Sequence, residues 1–287
     1  MRRLPALLST ALLLVTGALA GAGGARAEVP AGPASTRRDA VLVRDIEIPV
    51  PGQPAVRAYL VRPAHPGRPD RLAGVLALHW FEPGRANQDR TEFLAEATAL
   101  AGRGVVSVLP QLSFPWAADP VGDARDRAAV SAQLDAVGQA WRRLLAEPGV
   151  DPARTAVVGH DYGAMYAADL AAREPGVRTA VLLAPDATWA NWFDLYWLQL
   201  PAGERAAYRA VFAGLDPVDV VGRLGAGAYL QFAAEDRFVG PATRAAFAAA
   251  APEARVSLYP GEEHDLGGTR VRDDRVAWLA DRLALAG

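Results

Sequence analysis

Gly159-His160-Asp161-Tyr162-Gly163 sets a carboxylate between two glycines. The run follows the apolar stretch Ala156-Val157-Val158 and leads into Ala164 to Arg173, which has helical patterning. Gly-x-Nu-x-Gly between a strand and a helix predicts a sharp turn that pushes one reactive side chain outward. The glycines fit that turn because a Cβ at Gly159 or Gly163 would meet the crossing backbone. A carboxylate beside a helix N-terminus is favoured in its ionised form, the form a nucleophile needs. The plainer reading is an aspartate capping a helix in an ordinary turn. No Gly-x-Ser-x-Gly occurs, and the absence of cysteine excludes a thiol nucleophile.

Two later loops supply partners. Asp236 follows the apolar run ending at Phe232, with Glu235 as the fallback acid. His264 follows the run ending at Leu258. Taken singly, an acid after a strand is a turn residue and a lone histidine is a surface group. Together they give nucleophile, acid and histidine in one chain order, each at the end of a strand. An acid of this kind holds the histidine in one tautomer and stabilises its imidazolium. Leu78-His79-Trp80-Phe81 ends another apolar run. There the backbone N–H of Trp80 or Phe81 is expected to join that of Tyr162 in an oxyanion hole. His79 is expected to hydrogen-bond the loop.

These groups need a rigid frame, and the periodicity predicts one. Residues 41–49 and 55–62 alternate around Pro51-Gly52 and read as an antiparallel hairpin. Runs at 73–78, 105–109, 156–158, 177–183 and 228–232, with a last one at 255–258, have strand length. Helical spacing separates them, as in Val130, Leu134, Val137, Trp141 and Leu144. Alternation of this kind predicts an α/β fold: a mostly parallel sheet with helices on both faces and an antiparallel N-terminal edge. Reactive groups then collect at the carboxyl ends of the strands. Residues 186–225 break the rhythm and are rich in aromatics. They read as a small helical lid, with Trp189, Trp192 and Tyr196 over a small-molecule pocket that Trp116 also borders. Ordinary core packing is the other reading of these aromatics.

Composition narrows the classes. Hydrophobic residues make up 51% of the chain and charged residues 22%, as in a globular protein. The net charge is −2, every basic residue is arginine, and no basic run appears, so a nucleic-acid partner is unsupported. The chain has four histidines, His65, His79, His160 and His264, in no metal-ligand spacing; no metal and no cofactor are expected. Arg2-Arg3, an apolar run and Ala25-Arg26-Ala27 read as a signal peptide over residues 1–27. Export is therefore expected, to the periplasm or beyond, with no membrane attachment after cleavage. Residues 28–40 form a flexible lead-in and 41–287 a single domain. The sequence assigns no oligomeric state.

With these residues in place, the chain resembles the α/β-hydrolase superfamily. Its compact frame and Tyr259-Pro260-Gly261 just before His264 are similar to dienelactone-hydrolase-like proteins, which carry Cys or Ser at the elbow. The elbow itself resembles epoxide hydrolases and haloalkane dehalogenases, which read Gly-His-Asp-x-Gly. That resemblance implies an Asp161 nucleophile served by His264 and Asp236. It also implies groups that receive the leaving atom: Tyr196 and Tyr208 for an epoxide oxygen, or Trp80, Trp189 and Trp192 for a halide. Residues 186–225 are shorter than the cap of those enzymes, and Trp80 stands where they have glycine. The expected activity is hydrolysis of a small apolar epoxide- or haloalkane-like substrate. A dienelactone-hydrolase-like esterase or lactonase, and a silent binding protein of the same fold, are the alternatives.

Overall fold

The structure is a computed structural model, and it describes residues 40–67, 71–81 and 88–285. The signal segment and the lead-in up to residue 39 lie outside the described residues.

Strands β1 (Val41–Val50) and β2 (Gln53–Pro63) pair antiparallel across Pro51-Gly52. Gly52 has φ 72°, a left-handed value that costs glycine little. Then follow β3 (Leu72–Leu78), β4 (Val105–Pro110), β5 (Val150–His160), β6 (Thr179–Leu183), β7 (Ala228–Ala233) and β8 (Arg255–Tyr259). The eight strands form one sheet in the order β1-β2-β4-β3-β5-β6-β7-β8. β2 meets β4 antiparallel, and every pairing from β4 to β8 is parallel.

Every residue of β3, β4, β6 and β7 is buried. Successive side chains of a strand point to opposite faces, so this burial means that both faces are covered. The sequence signature of that cover is a nearly continuous apolar run, broken only by Ser107 in β4, Thr179 in β6 and Gln231 in β7. β8 lacks it, and as an edge strand it exposes Val256 and Leu258. β5 starts earlier than its apolar residues suggest. Leu72 pairs with Val150 and Gly74 with Thr155, so an irregularity absorbs the polar residues between.

The main helices are α1 (Leu94–Ala101), α2 (Ala124–Leu145) and α3 (Tyr162–Arg173). Between β6 and β7 run α4 (Trp189–Phe193), a π-helical turn (Asp194–Leu198), α5 (Ala202–Val211), α6 (Pro217–Val220) and a 3-10 segment (Val221–Gly227). Helices α7 (Pro241–Ala250) and α8 (Thr269–Arg282) complete the chain.

The segment between β6 and β7 is seated by buried acids. Asp216 accepts the Trp189 N–H at 2.9 Å, Asp186 accepts Asn191 Nδ2–H at 2.6 Å, and Asp126 accepts the Tyr208 hydroxyl at 2.5 Å. Tyr208 is 4% exposed, so little water replaces its bond. Tyr208→Phe is therefore expected to lower stability by about 1–2 kcal/mol, read from the urea midpoint.

Candidate active site

The elbow forms because three backbones cross with no room for side chains. A Cβ on Gly159 would sit 2.6 Å from the Gly163 carbonyl carbon and 2.7 Å from Ala164 Cα. A Cβ on Gly163 would sit 2.8 Å from the Leu78 carbonyl carbon and closer still to the oxygens of Leu78 and His79. Asp161, between them, holds φ 54° and ψ −124°. For a residue with a Cβ this is a strained position, which persists only where the surroundings over-determine it. They do: the Asp161 N–H is donated to Leu183 O of β6 at 2.8 Å, and its carbonyl accepts Ala164 N–H at 3.0 Å.

The carboxylate is fully buried and touched on three sides. Oδ1 accepts Trp192 Nε1–H at 2.6 Å. The same oxygen lies 3.4 Å from His264 Nε2, an ion-pair distance at which Nε2 makes no hydrogen bond. Oδ2 faces the Phe81 N–H at 3.4 Å. His264 Nδ1–H donates to Asp236 Oδ2 at 2.8 Å. Asp236 Oδ1 in turn accepts the N–H groups of Phe238 and Val239 at 2.8 and 2.9 Å. The three residues expected from chain order thus meet in one chain of contacts. Glu235 is not part of it; the residue is exposed, and its carboxylate accepts Gly261 N–H.

Burial disfavours charge on His264, yet Asp161 and Asp236 together push its pKa up to about 10. Burial likewise disfavours charge on Asp236, yet the His264 bond keeps its pKa below the usual value. In the segment between β6 and β7, burial raises Asp186 to about 6 and Asp216 to about 7. The signs combine. A histidine raised from 6.5 contributes stability that is complete below 6.5 and lost as pH climbs to about 10. A carboxyl raised from 3.8 likewise favours the fold in its protonated form, and that contribution fades as pH passes 6 to 7. Unfolding midpoints are therefore expected to fall steadily between pH 6 and 10. In His264→Gln the upper part of that slope should disappear.

The oxyanion hole needs one correction. The Trp80 N–H is not free to serve in it, because it donates to Glu92 Oε2 at 2.7 Å. Phe81 supplies the N–H that faces Asp161. Tyr162 opens α3, where first-turn N–H groups lack intrahelical partners. His79 holds the loop: it donates Nδ1–H to Trp80 O at 3.0 Å and accepts Leu112 N–H at Nε2 at 2.9 Å. Burial lowers its pKa to about 4.

The aromatic candidates divide. Trp192 touches the carboxylate, and its ring lies 5.0 Å from that of Trp197 and 5.5 Å from that of Tyr162. Trp116 is 40% exposed at the rim, 6.1 Å from the Phe81 ring. Trp189 belongs to the packing that seats the lid, 4.6 Å from Tyr166 and 5.7 Å from Phe193. Tyr196 lies in the π-helical turn, and its side chain is outside the described residues. Tyr208 spends its hydroxyl on Asp126, which corrects the expectation that it meets a substrate oxygen. A cavity of about 360 Å³ lies elsewhere, at the far end of α3 between Arg173 and Arg223. Among the described residues no group of three or more His, Cys, Asp or Glu side chains could hold a metal ion.

Sequence reasoning missed Glu92 and the role of His160. Glu92 Oε1 lies 2.7 Å from His160 Nδ1, and His160 Nε2–H donates to the His264 carbonyl at 2.9 Å. Glu92 precedes α1 and reads as an ordinary helix-start acid, so nothing local marks it.

No protein-family model matches the sequence, and no curated protein matches it. Solved structures do match. A prolyl endopeptidase aligns with TM-score 0.66 at 14% identity over 90% of this chain, which spans 40% of that larger protein. A structure assigned as a dienelactone hydrolase from Klebsiella pneumoniae aligns with TM-score 0.58 at 18% identity, over 84% of this chain and 99% of the other. A thermophilic esterase from Thermogutta terrifontis aligns with TM-score 0.60 at 17% identity, over 85% and 94%.

Proposed function

This chain has the α/β-hydrolase fold, and from that premise we propose that it is a hydrolase with Asp161 as covalent nucleophile. Its substrate is a small apolar molecule with an epoxide- or haloalkane-like carbon. The observation that carries this reading is the His264 ring set between two buried carboxylates, one of them on the strained elbow.

The chemistry follows atom by atom. Asp161 Oδ1 attacks the sp³ carbon, and the carbon–oxygen or carbon–halogen bond breaks. An alkyl ester of Asp161 forms, which retains the opened epoxide's oxygen as an alkoxide or releases a halide. An alkoxide needs a proton. Tyr208 has no hydroxyl to spare, whereas His264, raised by its two carboxylate neighbours, holds one. Once Asp161 is an ester it is neutral, and His264 keeps only Asp236 as a charged partner. The imidazole gives its proton to the alkoxide or, where a halide has left, to solvent once Asp161 is neutral; it then takes one from water, which attacks the Asp161 carbonyl carbon. Negative charge then develops on Oδ2, beside the Phe81 N–H. A fixed donor placed on the enzyme's own second oxygen suits this step better than it suits attack on a substrate carbonyl.

Trp192 stands beside the attacking oxygen: its indole N–H donates to Oδ1, so a substrate carbon has to approach by the other lone pair of that oxygen or displace the bond.

A second reading, an esterase or lactonase, draws on the compact frame shared with the dienelactone hydrolase and esterase structures. One experiment separates the two. His264→Ala protein is incubated in turn with an aryl epoxide, a 1-haloalkane and a p-nitrophenyl ester, and intact mass is read. A stable alkyl adduct that maps to Asp161 supports alkyl transfer. Turnover of the ester alone by the wild type, with no adduct from the others, moves the assignment to the second reading. If all three probes are inert, the silent binding protein gains. We also infer export, from the signal-like residues 1–27; a mature N-terminus near Glu28 on protein recovered outside the cytoplasm is the check.

A further inference from the structure

We propose that Glu92 and His160 are positioning residues that brace the loop after β3 against the loop after β8 and so fix His264. This rests on the reading of His264 given above.

Three hydrogen bonds make the brace. Glu92 Oε2 accepts the Trp80 N–H at 2.7 Å, on the loop that also carries Phe81. Glu92 Oε1 meets His160 Nδ1 at 2.7 Å. His160 Nε2–H ends on the carbonyl of His264 itself, at 2.9 Å. Because that carbonyl can only accept, Nε2 must carry a hydrogen, and the Glu92–His160 contact then shares one further proton. The Trp80 ring stacks on His160 at 5.0 Å and 10°, closing the brace from above. His160 is fully buried and the Glu92 side chain is 14% exposed, so water does not compete well for these bonds.

The brace is placed where the backbone needs it. Leu266, two residues beyond His264, holds φ 45°, a conformation that a side chain rarely adopts. Strain of that kind persists only under external restraint. His264 also has a buried Nε2 without a hydrogen bond, 3.4 Å from Asp161. Its ring is thus aimed by Asp236 on one side and by its own backbone on the other. Moving the backbone by about an ångström would misdirect a base, and misplacement on that scale can cost about a hundredfold in rate.

The test uses the mature protein and three variants. Glu92→Ala removes the brace. Glu92→Gln keeps an acceptor for Trp80 and offers an amide N–H to His160. His160→Phe keeps the stack and loses both bonds. Imidazole resonances are recorded by NMR in the free protein, where His65, His79, His160 and His264 are all the histidines there are. Alkylation of Asp161 and hydrolysis of the ester are then timed separately with the aryl epoxide. For Glu92→Ala and His160→Phe we expect a shifted or broadened His264 signal. Ester hydrolysis should slow by up to about 100-fold, the cost of misplacing a catalytic group by about an ångström. Opening of the epoxide, which draws its proton from His264, should slow with it, and Glu92→Gln should restore most of both rates. His264 resonances and both rates unchanged in Glu92→Ala would overturn the brace. If neither the aryl epoxide nor the 1-haloalkane alkylates Asp161 in any protein, the alkyl-transfer reading fails, and the free-protein resonances still decide the brace on their own.

Discussion

Asp161→Asn should lose turnover by at least ~10⁴-fold while the protein stays folded, since removing a covalent nucleophile in a comparable triad costs ~10⁶-fold. The amide has the size of the carboxylate and can still accept Trp192 Nε1–H, so the lid contact survives. It carries no charge and a poor nucleophile, so alkyl transfer stops. His264 then loses one of the two carboxylates that raise its pKa, and its titration should move down toward 6.5. Steady-state rates and a histidine titration by NMR check both parts. Residual activity within tenfold of wild type, with the titration moved as expected, would mean that Asp161 tunes His264 and does not attack. An exported binding protein of this fold would instead keep ligand affinity through the same substitution.

Gly163→Ala should be, with Gly159→Ala, among the most damaging methyl additions at the described glycines. The new Cβ would lie 2.8 Å from the Leu78 carbonyl carbon, with the oxygens of Leu78 and His79 nearer still. These are backbone atoms of β3 and its loop, and no flexible side chain can yield in their place. Relief requires that α3 move away from β3, which separates Tyr162 and Asp161 from Phe81. Overpacking typically costs about 1–3 kcal/mol, and backbone obstruction places this case at or above the upper end. Loss of soluble protein, or a urea midpoint lowered by at least that amount, is the expected result. Gly67→Ala is a control, since a Cβ there meets nothing within 4 Å. An unperturbed Gly163→Ala protein would contradict the tight crossing.

The sheet was legible because burial on both faces leaves little freedom in composition. Ala73 to Leu78 is apolar at every position, and Val105 to Leu109 at every position but Ser107. The elbow was legible because its glycines are a steric requirement written at fixed spacing. Asp236 and His264 could be found from their places after strands. Glu92 could not, because its partners, Trp80, His160 and through it His264, lie far away in the chain and any acid before a helix looks the same. The Trp80 N–H illustrates the same limit: position nominated it for the oxyanion hole, and a single distant carboxylate diverted it. The aromatics of residues 186–225 were visible as a group, but only packing separates Trp192, on the Asp161 carboxylate, from Trp189, packed against Tyr166.

The elbow at φ 54° behaves as a socket. Its shape is set by Gly159, Gly163 and the bonds from Asp161 N–H and C=O, none of which involves the side chain that it presents. A short residue of another chemistry can therefore be plugged in without rebuilding the turn. Asp161→Ser would put a hydroxyl one bond short of the present carboxylate oxygens, with the His264–Asp236 pair already in place behind it. The oxyanion pocket would then be vacated by the enzyme's own oxygen and left open to a carbonyl from outside. On the proposed mechanism that one replacement would turn alkyl transfer toward acyl transfer, and what would still have to adapt is the surroundings of the side chain, Trp192 on Oδ1 among them, not the turn.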